Sequence, residues 1–149
     1  MEWYSVVAII ISVVALFISV LQFFMERRFY RNEATINAFS LLQKDVLEKD
    51  SFKNVNITDV INFHELKTSE TDKAWELLSE QMARIEQFSV GVNTNVYSIK
   101  IVDRMAGSHL IKEFERLKPI IDKKRINSKT NKRYEEFEKM VDSLKKKNF

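Results

Sequence analysis

The chain has no cysteine, one proline and two glycines in 149 residues. Without cysteine there is no disulfide and no thiolate metal site, and a reducing compartment is permitted. Sheet proteins call on turn residues repeatedly, so the scarcity of glycine and proline points to helices joined by short polar links. Phosphate-binding loops need clustered glycines, and Gly91 and Gly107 stand alone. The two histidines, His64 and His109, lack a second His or a carboxylate pair in a ligand pattern. Serines are numerous but sit in no nucleophile elbow. No cofactor is implied, and the chain reads as a non-enzyme.

A net charge of +3 hides an uneven distribution. Between Glu26 and Leu110 there are 11 Lys/Arg and 13 Asp/Glu, whereas Ile111 to Phe149 carries 13 and 7. A basic end can meet nucleic acid, an acidic partner or anionic lipid. Its lysines are mixed with Glu135, Glu136, Glu138 and Asp142, so a solvated helical surface is the simpler reading. Nucleic-acid binding through this helix stays the minor alternative.

The segment from Trp3 to Phe24 contains no charged residue. At 1.5 Å per residue it is about 33 Å long, enough to cross a hydrocarbon core of about 30 Å. A cleaved signal would need a positive start, a shorter apolar run and small residues at the cleavage site. Glu2 is the only charge before the run, and Phe23, Phe24, Met25 and Glu26 at its end make a poor cleavage site, so we expect a retained anchor. Arg27, Arg28 and Arg31 flank its C-terminal side and no Lys or Arg precedes it. The positive-inside rule then puts the N-terminus outside and the rest of the chain in the cytoplasm, at an inner (plasma) membrane.

Within this segment Ser5, Ala8, Ser12, Ala15 and Ser19 recur at alternating spacings of three and four, and Gln22 continues the series. Small residues on a heptad stripe let two membrane helices approach closely, which predicts an oligomerisation seam and a homo-oligomer. The competing reading is that each serine bonds its own helix. A water-lined row of Ser5, Ser12, Ser19 and Glu26 is a narrower alternative, and it would make the chain a pore-forming or leak effector of toxin-like or phage-defence type.

The rest reads as helices. One continues to about Lys49, with Phe29, Ile36, Phe39, Leu42 and Val46 as its apolar stripe. Asp50 to Asn56 reads as a polar break, and Thr58 as the cap of a helix through Leu66 with Val60, Ile61 and Phe63 inward. Thr68 to Asp72 signals another start, and Trp75, Leu78, Met82, Ile85 and Phe88 form the face of a helix ending near Val90 or Gly91. Asn93 to Asn95 reads as a turn. A short helix follows on Val96, Ile99, Val102 and Met105, and Gly107 with Ser108 breaks the chain again. Leu110, Ile111, Phe114, Leu117 and Ile121 carry the next helix, which Pro119 should bend near Glu115 and Arg116. After a link at Asn127 to Asn131, Tyr134, Phe137, Val141 and Leu144 face inward on a last helix that ends in Lys145 to Lys147. Asp103, Arg104, Glu115 and Arg116 form a candidate polar cluster near the bend, more structural than catalytic.

From Trp75 onward the order of features resembles a bacterial family of unknown function, the domain-of-unknown-function 4760 type. The likeness is carried by Ile85-Glu86-Gln87-Phe88, by Asn95-Val96-Tyr97, by the run Phe114 to Ile121 and by Tyr134 with Phe137. The resemblance implies a membrane helix joined to a small helical domain and brings no activity with it. The expectation is an all-α chain with an anchor at 1–25, a juxtamembrane helix at 26–49 and a cytoplasmic helical bundle at 50–149. Its expected role is that of a membrane-tethered, self-associating interaction protein whose partners are the bilayer, further copies of itself and a cytoplasmic protein.

Overall fold

The computed structural model describes residues 3–66, 69–130 and 132–146, with side chains given for all of these but 62–72. Among them there are helices and no strand. Helix α1 spans Trp3–Leu42 without a break. A wide π-type turn at Gln43–Leu47 prolongs it, with the Glu48 N–H donating to the Gln43 carbonyl at 2.9 Å. The short α2 (Asp50–Lys53), α3 (Ile57–Leu66) and α4 (Ser69–Asn93) follow, then α5 (Ile99–Ser128) and α6 (Glu135–Lys145).

The N-terminal part of α1 stands clear of everything else. An 18-residue window in it reaches a mean hydropathy of 2.8 with none of it buried. By length and composition this is a helix able to cross a membrane. Its far end belongs to the core, where Thr35, Phe39, Leu42, Val46 and Leu47 are buried. The expected stripe is therefore corrected at its start, because Phe29 is 66% and Ile36 44% exposed. The buried residues of α1 begin at Thr35.

The bundle core is formed by one face of each helix. Leu78, Met82, Ile85, Phe88 and Val92 come from α4, Val102, Leu110, Phe114, Leu117, Ile120 and Ile121 from α5, and Phe137, Met140, Val141 and Leu144 from α6. Phe114 meets Phe137 edge-on at 5.1 Å, and Phe88 lies between Phe39 and the stacked ring of Tyr97. Tyr97 reaches that place because Gly91 has no side chain, and a Cβ there would collide with its ring. Asn95, at φ 61°, turns the chain so that the Tyr97 N–H donates to the Gly91 carbonyl at 2.9 Å. Deleting any one of the buried rings of Phe39, Phe88, Phe114 and Phe137 would cost on the order of 3–5 kcal/mol.

Several local expectations change. The polar break at Asp50 contains α2, whose Phe52 is buried in the core. Asn56 rather than Thr58 caps α3, its Oδ1 accepting the Thr58 N–H at 3.1 Å. Helix α4 runs past Gly91 to Asn93. Val96 lies in the turn and is exposed, and Met105 is exposed too, so the face expected over Val96 to Met105 narrows to Val102 with a half-buried Ile99. The break at Gly107 is a kink inside α5, and Ala106 takes the irregular dihedrals (φ −159°, ψ 21°). Pro119 sits within α5, yet the kink falls at Ala106 and not near Glu115. The start signal at Thr68 lies outside the described residues, as do Asn131 and Lys147, and so does the side chain of Phe63.

Helix α6 is docked at its beginning by α4. Tyr134 enters it at φ 58° without a side-chain cap of its own. Glu86 of α4 supplies one from outside, its carboxylate accepting the Glu136 N–H at 3.1 Å and the Phe137 N–H at 2.8 Å. Burial pushes the Glu86 carboxyl up, against the lowering effect of those two bonds. Asn93, two turns further along, donates to the Glu136 carbonyl at 2.9 Å and to its carboxylate at 2.7 Å.

Candidate functional site

A strongly basic cleft lies where α1 leaves its apolar stretch and meets the turn between α4 and α5. Thr35 creates the junction. Fully buried on α1, it donates to the Arg31 carbonyl at 2.6 Å and accepts the Ser98 N–H at 2.7 Å. Those two bonds pin the start of α5 against α1 across 63 positions of sequence. The tie brings Lys100 and Arg104 of α5 beside Arg28 and Arg31 of α1, around a cleft of about 390 Å³. An adjoining cleft of about 540 Å³ shares Arg28, Arg31 and Asn95 and adds Arg27, Phe24 and Val96.

Five cations thus gather from two helices, and no carboxylate lines either cleft. Among the described residues none of the five is in an ion pair. Ser98 makes no side-chain capping bond, so the positive end of α5 adds to the same field. Arginine forks and a lysine around an open cleft can hold an anion by charge-assisted hydrogen bonds. Arg27, Arg28 and Arg31 were expected only as an orientation signal. The contributions of Lys100, Asn95 and Thr35 were not foreseen, because nothing local in sequence announces a contact made through the fold.

The candidate polar cluster does not form as one group. Arg116 pairs with Glu113 at 2.7 Å and donates to the carbonyls of Phe52 at 2.9 Å and Val55 at 3.3 Å, holding α2 in place. Glu115 instead pairs with Lys145 of α6, which holds its carboxyl below the usual range. Asp103 lies over Gly107 at the kink, and Arg104 turns to the cleft. Part of the basic surface of the last quarter is paired as well. Lys139 bridges Glu135 and Glu136, and Arg125 meets Glu138 at 2.8 Å. His109 is exposed on α5, and the side chain of His64 lies outside the described residues.

Along the apolar segment, Ser5, Ala8, Ser12, Ala15, Ser19 and Gln22 are all exposed. The hydroxyls of Ser12 and Ser19 donate to the carbonyls of Ala8 and Ala15, each at 2.9 Å. They are satisfied within their own helix, so a partner helix would meet a surface that is small and has few free donors.

An all-helical chain with one long apolar helix running into a compact bundle defines the class of protein. The sequence pattern described as Domain of unknown function (DUF4760) matches residues 9–144, and the chain belongs to that family. The match begins inside α1, so the apolar helix and the bundle are parts of one family pattern. Neither a curated protein nor a solved structure matches the chain. The residues of the resemblance have structural work here. Glu86 caps α6, Tyr97 packs on Gly91 and Phe88, Phe114 meets Phe137, and Arg116 holds α2.

Proposed function

We propose that this chain is a single-pass membrane tether for a helical interaction module. Its N-terminus lies outside, its bundle lies at the cytoplasmic face, and copies associate through the membrane helix. The observation that carries this reading is the continuity of α1, which passes from an exposed apolar stretch into the bundle core with no linker. A continuous helix fixes the distance and orientation of the module relative to the bilayer. The stripe Ser5, Ala8, Ser12, Ala15, Ser19 and Gln22 would be the contact between copies, each approaching closely over small side chains. The paired lysines of α6 favour a solvated surface over a nucleic-acid interface.

The test is made on the full chain in native membranes. It should stay with the membrane after alkaline carbonate extraction and run as an oligomer in mild detergent. The triple substitution Ser12→Leu, Ala15→Leu and Ser19→Leu should keep the first property and lose the second. Release by carbonate would refute the tether, and an unchanged oligomer would refute the seam.

A further inference from the structure

We propose that the basic cleft at the foot of the membrane helix holds the phosphate headgroup of an anionic phospholipid from the leaflet facing the bundle. This assignment rests on the tether reading and names the ligand that the tether would meet first. The cleft gathers Arg27, Arg28, Arg31, Lys100 and Arg104 with no carboxylate among its lining residues. Like charges brought together by folding repel one another unless an anion lies between them. The fold gives these five no ion-pair partner among the described residues, as is true of surface lysines such as Lys112 and Lys118, but these five are gathered around one cleft.

Depth selects a lipid over other anions. Met25 closes the apolar run, and Arg28 and Arg31 follow it by about 5 and 9 Å along the helix axis. The headgroup layer begins where the hydrocarbon ends and is roughly 5–8 Å thick on each side. The long arginine side chains can therefore reach the phosphate level. Phe24 and the exposed Val96 line the adjoining cleft, giving an apolar side for acyl chains next to the cationic one. Arg31 and Arg104 reach the site from two different helices, and a guanidinium fork suits two phosphate oxygens.

The experiment places the full chain in nanodiscs of mixed phosphatidylcholine and phosphatidylglycerol and counts the lipids retained by native mass spectrometry. The wild type should retain phosphatidylglycerol in preference to phosphatidylcholine. Arg31→Gln with Arg104→Gln should lower that preference about thirtyfold, since each cation near an anionic surface counts for about fivefold. Both residues are exposed, so the fold should survive, and unchanged helicity by circular dichroism checks this. Lys112→Gln with Lys118→Gln makes the same charge change away from the cleft and should leave the preference intact. Equal retention of the two lipids by the wild type would overturn the assignment, and so would an equal loss in both double variants. Displacement of phosphatidylglycerol by millimolar inorganic phosphate would overturn it in favour of a free anion. A chain that stays outside the discs would refute the tether reading itself, and the lipid site with it.

Discussion

Lys124 is a cation inside the bundle. It is 6% exposed, lies 4.6 Å from the centre of the Trp75 ring and donates to the Ser79 hydroxyl. Burial, followed by the charge of Arg133, pushes its ammonium down from 10.5 to about 8. Below about pH 8 the group is charged in both folded and unfolded chains, and its contribution does not vary. Between about 8 and 10.5 the folded chain has released the proton while the unfolded chain still holds it. Stability should therefore rise with pH across that window, by on the order of 1–3 kcal/mol. Urea unfolding in detergent at pH 7, 9 and 10 measures the rise, and Lys124→Met should flatten it. A profile equally steep in that variant would place its origin elsewhere. Of such residue roles the sequence shows little. The resemblance picked out Glu86 and Tyr97, but that one caps α6 from α4 and the other needs the empty space at Gly91 is visible only once the helices are packed.

At the scale of elements the hydrophobic period was legible, and the irregular backbone was not. The faces of α4 and α6 follow from spacing, because a helix must bury one stripe and both stripes are apolar. The kink at Ala106, the π-type turn at Gln43–Leu47 and the single turn of α2 depend on packing between helices, which a local pattern does not encode. Thr35 is the sharpest case, since in sequence it is one polar residue on a helix with charged neighbours. In the fold it is the bolt between α1 and α5, accepting the Ser98 N–H. Thr35→Val keeps the shape and removes the acceptor, leaving a buried N–H without a partner. The expected cost is about 1–3 kcal/mol, with faster hydrogen exchange at the Ser98 amide. Thr35→Ser should retain most of the protection. If Thr35→Val leaves that exchange rate unchanged, the bond does not hold the junction.

The whole molecule is organised by α1, which is exposed and apolar at one end and buried in the bundle at the other. This division was readable from composition alone, because an uncharged run long enough to cross a bilayer has few alternatives in water. The basic cleft was half readable. Its three α1 arginines stand in plain view, while Lys100 and Arg104 arrive only through the fold. Orientation is the central claim, because the positive flank of Arg27, Arg28 and Arg31 is what places the interaction module at the cytoplasmic face. The absence of native cysteine makes the decisive measurement clean. Single-cysteine chains, Trp3→Cys and Lys112→Cys, are treated in spheroplasts with a membrane-impermeant maleimide. Trp3→Cys should label in intact spheroplasts, and Lys112→Cys only after permeabilisation. Labelling of Lys112→Cys in intact spheroplasts, with Trp3→Cys protected, would contradict the account.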